Sequence, residues 1–144
     1  MTRVLIDNNV AIDALKPNES FEAEAKNVFK LIWHEIIDPY MCANSLTDIF
    51  YVLQKVQGSS NAKASIANLM TVMNIIPLSE KDCSDALALP FEDFEDAIIA
   101  VCAEKAGVDY IVSRDNEFIK AKTAVEVITP GQLLEIIATR GEAN

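Results

Sequence analysis

The sequence predicts an α/β fold with a mostly parallel central sheet of four to five strands flanked by helices. Short runs rich in aliphatic and β-branched residues, such as Val4 to Ile6 and Tyr110 to Val112, alternate along the chain with longer segments of helical periodicity. Strands that alternate with helices in this way usually pair in parallel, because each helix carries the chain back across one face of the sheet. With 51% hydrophobic residues in 144, the chain can bury a core of this kind.

The predicted elements can be placed along the whole chain from hydrophobic spacing and turn residues. Strands are predicted at 4–6, 40–43, 74–78, 110–112 and 125–128. Helices are predicted at 10–15, 21–36, 44–53, 62–73, 79–89, 91–106 and 130–138.

Particular residues mark where the helices begin and end. Lys16-Pro17-Asn18 breaks the chain after the first helix, and Ser20 is placed to cap the second. The segment from Gly58 to Asn61 is predicted to be the turn between the third and fourth helices. Gly107 is the expected left-handed residue after the sixth helix, and Thr129 the expected cap of the last.

The chain is expected to form one domain, residues 1–139, followed by a polar tail, residues 140–144. No stretch approaches the roughly 20 consecutive apolar residues that span a bilayer, and the N-terminus lacks the pattern of a secretory signal. We therefore expect a cytoplasmic protein with no membrane partner. The cysteines, Cys42, Cys83 and Cys102, are widely spaced in apolar surroundings, which is typical of reduced core residues.

The formal net charge of −10 argues against a protein that binds nucleic acid through a broad basic surface. The objection weakens if several acids are gathered at one site and neutralised there by divalent cations, because a bound ion reverses the local sign of the charge.

Acidic residues recur where predicted strands end and predicted helices begin. Asp7 follows the first strand, and Asp115 follows the fourth. Asp93 and Asp96 open the sixth helix three residues apart, which places them on one face of its first turn, and Asp48 lies in the third helix. Because ligands of open α/β folds bind at the carboxyl ends of the strands, these acids are candidates for binding a metal ion or a substrate.

Each of these acids also has a purely structural explanation. Asp7 can cap the first helix, and Asp48 follows Ser45 at the spacing of a capping box. Asp93 and Asp96 lie where a carboxylate interacts favourably with the helix dipole. Pattern alone therefore leaves both interpretations open.

Three segments together carry a family resemblance: VLIDNNVAIDAL at 4–15, DFEDAIIAVCA at 93–103, and DYIVSRDNEF at 109–118. In order and spacing they resemble PIN domains, and in particular the single-domain ribonuclease toxins of VapC type that occur in toxin–antitoxin pairs. The resemblance covers nearly the whole chain and implies a metal-dependent endoribonuclease that hydrolyses RNA. It also implies a homodimer that is held inactive by a small antitoxin protein.

The resemblance assigns roles to the acids. Asp7, Asp96 and Asp115 fall on the family's metal-binding acids, and Asp93 on an accessory acid of the metal site. Asp48 falls on a catalytic acid that is usually Glu, and its shorter side chain loses about 1.5 Å of reach. We therefore expect Asp48 to contact metal only through a water molecule.

Other polar residues are expected to assist this cluster. Asn9 and Ser113 match polar positions that support it in the family. The basic residues nearest to it in sequence, Arg114, Lys120 and Lys122, are candidates for steering phosphate, with an ordinary solvated surface as the alternative.

The donor set predicts the identity of the metal. Mg²⁺ prefers oxygen ligands, and a site of carboxylates without His or Cys suits Mg²⁺ or Mn²⁺ better than zinc. The chain agrees with this, because it has a single histidine and its cysteines are scattered.

The sequence leaves two alternatives to the nuclease. One is a catalytically weak or inactive PIN-like module that acts through protein contacts, which the negative charge and Asp48 favour. The other is a phospho-receiver domain with a nucleophilic aspartate. Such a domain needs an adjacent acid pair at the first strand and a lysine late in the sheet, and the segments around Asp7 and Ser113 supply neither.

Overall fold

Residues 1–16 and 20–141 are described by the structure, a computed structural model, and they form five strands and eight helices. The strands are β1 (Thr2–Ile6), β2 (Ile37–Cys42), β3 (Asn74–Ile76), β4 (Tyr110–Val112) and β5 (Glu126–Ile128). The helices are α1 (Asn8–Leu15), α2 (Glu22–Trp33), α3 (Ala43–Gln57), α4 (Ser59–Val72), α5 (Glu80–Leu87), α6 (Phe94–Ala106), α7 (Asn116–Lys120) and α8 (Pro130–Thr139).

The strands form one all-parallel sheet in the order β3-β2-β1-β4-β5, which confirms the predicted fold class. β1 is the central strand, with β2 and β4 hydrogen-bonded on either side of it. Because the strands are parallel, their carboxyl ends lie at one edge of the sheet. The chain turns directly into α1 after β1 and into α3 after β2, so both helices begin at that edge.

Successive residues of the strands face opposite sides of the sheet, and each side has its own hydrophobic core. Val4 and Ile6 of β1 belong to a cluster with α1, α2, α3, α4 and α8. Leu5 belongs to a second cluster with α5, α6 and α7, and Ile111 of β4 joins it there. A strand segment buried on both faces is apolar at every position, which explains why residues 4–6 of β1 form a continuous apolar run in the sequence.

Within the described ranges, no helix is long and apolar enough to cross a membrane.

The structure corrects the predicted boundary between the third and fourth helices. The turn expected from Gly58 to Asn61 is reduced to Gly58 alone, and α4 begins at Ser59. Gly58 has φ +83°, so this one residue reverses the chain. The Asn61 side chain donates to the Gln57 carbonyl (3.0 Å) and thereby satisfies an acceptor at the end of α3.

Several other predicted termini also shift. The N-cap of α2 is Phe21 rather than Ser20, and α6 begins at Phe94 with Asp93 as its N-cap. The short helix α7 was not predicted, because its five residues carry too little periodicity to detect. The predicted ends at Gly107 (φ +68°) and Thr129 (a capping box) are confirmed. Residues 17–18 of the predicted chain break and 142–144 of the predicted tail lie outside the described residues.

Helix α2 ends earlier than predicted, at Trp33, because the chain turns at Glu35. Glu35 has φ +56° and is the one non-glycine residue in the described ranges with a positive φ. Its N–H donates to the Ile32 carbonyl (3.0 Å), and the Ile36 N–H donates to the Leu31 carbonyl (2.9 Å). This is a Schellman motif with glutamate in the position that glycine usually fills. Ile36, which continues the helical spacing in the sequence, therefore leads into β2.

Glu35→Gly is expected to raise the free energy of unfolding by about 0.5–1 kcal/mol, because a left-handed backbone strains a residue with a Cβ. Urea denaturation followed by circular dichroism would measure the change. Gly107→Ala is the matched control: it places a Cβ at a similar φ after α6 and is expected to lower stability by about 1 kcal/mol. A loss of stability in Glu35→Gly would show that contacts of the glutamate side chain outweigh the strain.

Candidate active site

The carboxylate of Asp7 is buried at the end of the central strand, where only 3% of the residue is exposed. Its Oδ1 accepts a hydrogen bond from the Asn8 backbone N–H (2.8 Å). Its Oδ2 accepts from the Ser113 hydroxyl (2.8 Å) and from the Asn9 side-chain amide (3.2 Å). These bonds offset the cost of burying the carboxylate and hold it in one orientation.

Ser113 links Asp7 to Asp115 across the ends of β1 and β4. Besides donating to Asp7, its Oγ accepts from the Asp115 backbone N–H (3.1 Å) and from the Asn9 amide (3.2 Å). Ser113 is completely buried, and its own backbone N–H donates to the Ile128 carbonyl (2.9 Å). Asn9 and Ser113 thus lie beside the acids, where the sequence predicted them.

Three of the candidate acids are N-caps of helices. Asp7 caps α1, Asp93 caps α6 and Asp115 caps α7. Asp93 Oδ1 accepts from the backbone N–H of Glu95 (2.8 Å), and Asp115 Oδ1 accepts from that of Glu117 (3.0 Å). Because each of these caps engages a single oxygen of the carboxylate, capping does not exclude a role in binding a cation. The two interpretations left open by the sequence are therefore compatible.

The acids that follow β1 and β4 and those at the start of α6 lie close enough to interact electrostatically. Burial raises the pKa of Asp7 to about 6, and the negative charges of Asp115 and Asp93 add to that rise, against the hydrogen bonds from Ser113 and Asn8. Partial burial likewise raises the pKa of Asp96 to about 7, with further contributions from Asp93, Asp7 and Asp115. The cluster is a region of concentrated negative charge, which a cation would relieve.

Asp48 lies beside this cluster, on α3. Its Oδ2 accepts from the side-chain amide of Asn8 (3.3 Å), the residue that follows Asp7. The predicted capping box with Ser45 is wrong, because α3 begins at Ala43 with Cys42 as its N-cap and Ser45 lies inside the first turn. The structural explanation offered by the sequence for Asp48 is thus removed.

Glu95, an acid that was not among the predicted site residues, faces Asp48 from α6. The two carboxyl groups lie within hydrogen-bonding reach of each other. This contact with Asp48, together with partial burial, raises the pKa of Glu95 to about 7. In the sequence, Glu95 is visible only as an acid directly before Asp96. The spacing of residues along α6 does not show that the Glu95 side chain lies toward α3.

The Arg114 side chain is bound by other side chains of the protein next to the acidic cluster. Its guanidinium forms two bonds with the buried carboxylate of Asp13 (Nε–Oδ2 2.5 Å, Nη2–Oδ1 3.2 Å) and lies over the ring of Phe21, 4.3 Å from the ring centroid. Its backbone N–H donates to Asn9 Oδ1 (3.3 Å). Asp13 was also missed by the sequence analysis. Of the predicted basic residues, Lys120 and Lys122 are exposed.

A model of the PIN domain family matches residues 3–117. The chain belongs to the PIN domain family. This PIN domain is 25% identical to ribonuclease VapC1 of Aquifex aeolicus over 138 residues, which covers 92% of this chain and 94% of the relative.

Solved structures share the fold of this PIN domain. VapC20 of Mycobacterium tuberculosis, described as a sarcin-ricin loop cleaving toxin, superposes with a TM-score of 0.68 at 16% identity, over 84% of this chain and 96% of the other. A toxin-antitoxin complex from Klebsiella pneumoniae gives a TM-score of 0.66 at 19% identity, over 88% of this chain and 97% of the other.

The donor set of this PIN domain fits a hard divalent cation. The clustered side chains are carboxylates, and Mg²⁺ and Mn²⁺ prefer oxygen ligands. Among the residues that the structure describes, no three such side chains already stand at metal-binding distances from one point.

Asp7→Asn is expected to stabilise the metal-free protein above pH 6, by about 1–2 kcal/mol. The pKa of Asp7 rises from its ordinary 3.8 to about 6 on folding, so wild-type stability falls as pH rises through this window. The difference between variant and wild type should therefore vanish below about pH 4. Urea denaturation in a chelating buffer at several pH values would measure it.

The control for this experiment is Asp85→Asn, which removes an exposed carboxylate paired with Lys81 on the surface of α5. Its effect should stay within about 0.5 kcal/mol. An Asp7→Asn variant less stable than wild type at pH 8 would mean that the lost hydrogen bonds outweigh the cost of the buried charge.

Proposed function

We propose that this PIN domain is a Mg²⁺- or Mn²⁺-dependent endoribonuclease that hydrolyses RNA phosphodiester bonds, and that it is the toxin of a toxin–antitoxin pair. The observation that carries the proposal is the group of carboxylates around buried Asp7 at the carboxyl edge of the sheet. The family, and a relative named as a ribonuclease that matches along nearly its whole length, support the same activity.

Phosphodiester hydrolysis requires an attacking hydroxide and positive charge near the phosphoryl group. A bound divalent cation supplies that charge and lowers the pKa of a bound water. In this chain Asp7, Asp96 and Asp115 are the residues proposed to hold the cation, with Asp93 as a further carboxylate of the same cluster.

The remaining polar residues keep this arrangement in place. Ser113 and Asn9 hold the Asp7 carboxylate in one orientation, and Ser113 also binds the backbone of Asp115. Arg114 links the end of β4 to α1 through Asp13. We propose that these residues orient the acids, because the side-chain polar atoms of Ser113 and Asn9 are hydrogen-bonded within the protein and the Arg114 guanidinium is bound to Asp13.

The negative charge of the chain is compatible with an RNA substrate if cations act at the site. The formal net charge of −10 repels phosphate as a whole. A bound cation offsets part of that charge at the place where the scissile phosphate must approach. Cleavage is therefore expected to depend on divalent cations for binding of RNA as well as for chemistry.

We expect the purified protein to cleave single-stranded or stem-loop RNA with Mg²⁺ or Mn²⁺ and to lose the activity with a chelator. Asp96→Asn should lower the rate by at least about tenfold to a hundredfold, since even residues that only support a metal site have effects of this size. Gel analysis of labelled RNA would measure it, with Asp85→Asn as the control of unchanged activity. Unimpaired cleavage by Asp96→Asn would contradict its assignment, and metal binding without cleavage would favour the non-catalytic interaction module.

The surface offers apolar contacts for protein partners. A groove of about 330 Å³ between α3 and α4 is lined mainly by Leu46, Phe50 and Ile66. Tyr51 is 56% exposed on α3, and Met70 is 52% exposed on α4. Exposed apolar surface of this kind is typical of protein interfaces. It supports the proposed small antitoxin and a homodimer, and the structure from Klebsiella pneumoniae is described as a toxin-antitoxin complex.

The proposed homodimer should be visible in the purified protein by sedimentation equilibrium at micromolar concentration. Burial of the exposed apolar side chains supplies the driving force for association. A monomer throughout that range would exclude the dimer, although binding of the antitoxin to a monomer would remain consistent with the apolar groove.

A further inference from the structure

A cavity of about 550 Å³ lies at the amino edge of the sheet, opposite the edge that carries the acidic cluster. It is found where β2 and β3 begin and where Met1 precedes β1. Apolar and acidic side chains line it together, among them Ile32, Trp33, Ile37, Val72, Glu35 and Asp38. Sites for small molecules typically have volumes of roughly 300–1,000 Å³ and combine an apolar lining with a few polar groups. The amino-edge cavity has both properties.

Trp33 presents an aromatic surface to this cavity. It is 61% exposed, although tryptophan is among the residue types that are highly buried on average. Its ring packs edge-to-face on Phe29 of the same helix, with 6.1 Å between the ring centroids, and this contact restricts its orientation. An exposed aromatic ring that is held in place in this way attracts organic cations.

Glu35 contributes a carboxylate to the cavity wall. Among residues 1–16 and 20–141, no salt bridge involves Glu35, so its charge has no ion-pair partner there. Its backbone has φ +56°, a conformation that glycine adopts with less strain. Residues that bear such strain cluster at sites that hold ligands. The carboxylate therefore lies exposed beside Trp33 at a position that costs stability.

Asp38 contributes a second carboxylate, and its position is fixed by hydrogen bonds. Its Oδ1 accepts from the Asn74 side-chain amide (2.7 Å), and its Oδ2 accepts from the Tyr40 hydroxyl (3.2 Å). The Arg3 guanidinium, whose Nε lies 3.8 Å from Oδ2, offsets part of this charge but does not line the cavity. Each carboxylate oxygen can accept more than one hydrogen bond, so Asp38 can also accept from a ligand.

We propose that the amino-edge cavity binds a small aliphatic diamine or polyamine. One ammonium group pairs with Glu35, the aliphatic chain packs on Trp33 and the apolar lining, and a second ammonium group donates to Asp38. Two carboxylates on an apolar cavity match a ligand with two cationic ends better than a single lysine side chain, which has one. The formal net charge of −10 also attracts such a cation. This site is independent of the proposed nuclease activity.

The fluorescence of Trp33 tests the proposal directly, because Trp33 is the only tryptophan in the sequence. Titration of 1,4-diaminobutane into the full chain at constant ionic strength should change the emission and reach saturation. Butylamine has the same carbon chain with one ammonium group, and it should bind about twofold to fivefold more weakly, since it loses one ion pair. Sodium chloride at the same concentrations should leave the emission unchanged.

Variants of the cavity wall distinguish a site from a general attraction of cations. Glu35→Gln should weaken the affinity for 1,4-diaminobutane by about twofold to fivefold, because one partly exposed ion pair is lost. Trp33→Leu, followed by calorimetry, should weaken it by a similar factor through the loss of the aromatic ring. The matched control is Glu80→Gln, which removes an exposed glutamate from α5 and should leave the affinity unchanged.

A series of diamines from 1,2-diaminoethane to 1,8-diaminooctane tests whether two carboxylates act together. The affinity should pass through an optimum of chain length if both ends of the ligand are bound. Bound diamine should also raise the melting temperature of the wild type more than that of Glu35→Gln. An affinity that is independent of chain length, and equal in Glu35→Gln and Glu80→Gln, would reduce the effect to non-specific charge and overturn the proposal.

Two further outcomes would also overturn it. Asp7→Asn changes the acidic cluster at the other edge and should not affect the titration, so a loss of binding in Asp7→Asn with normal binding in Glu35→Gln would place the cation in that cluster. A short peptide with one lysine between glycines should bind no better than butylamine. Tighter binding of this peptide than of any diamine would assign the cavity to a side chain of a protein partner instead.

Discussion

The burial of the Asp7 carboxylate at the end of the central strand is the constraint on which the rest of the site depends. A carboxylate with 3% exposure must find donors inside the protein, and Asp7 finds them in Asn8, Asn9 and Ser113. These donors come from the turn after β1 and from the end of β4. The hydrogen bonds therefore fix how two neighbouring strands end and how the next helix begins.

The acids that cap the starts of helices are also members of the acidic cluster around Asp7. Both roles follow from the topology of the sheet. In a parallel sheet the helices that follow the strands begin at the carboxyl edge, so their N-caps gather there. Aspartate is a favoured N-cap, and Asp7, Asp93 and Asp115 are caps of three helices. The local requirement for a cap and the requirement of a metal site for oxygen ligands thus select the same residue type at the same edge.

The arrangement stores unfavourable electrostatic energy in the metal-free protein. Burial and neighbouring carboxylates raise the pKa of Asp7 to about 6 and that of Asp96 to about 7. Sites that concentrate like charges in this way are often functional, because a ligand of opposite charge recovers the cost. The buried carboxylate of Asp13, by contrast, is paired with the guanidinium of Arg114 through two bonds. Within residues 1–16 and 20–141, no salt bridge joins a Lys or Arg to the clustered acids.

The sequence by itself determined the fold class, the order of the strands and of every helix except α7, and the acids at the strand ends, because apolar runs, helical periodicity and family motifs are local in the chain. It could not determine where α2 ends, because the left-handed position is filled by Glu35, and few glutamates adopt that conformation. It also could not assign partners to Arg114 or Glu95. Their contacts with Asp13 and Asp48 join residues far apart in sequence, and only the packing of α1, α3 and α6 around the sheet decides which side chains meet.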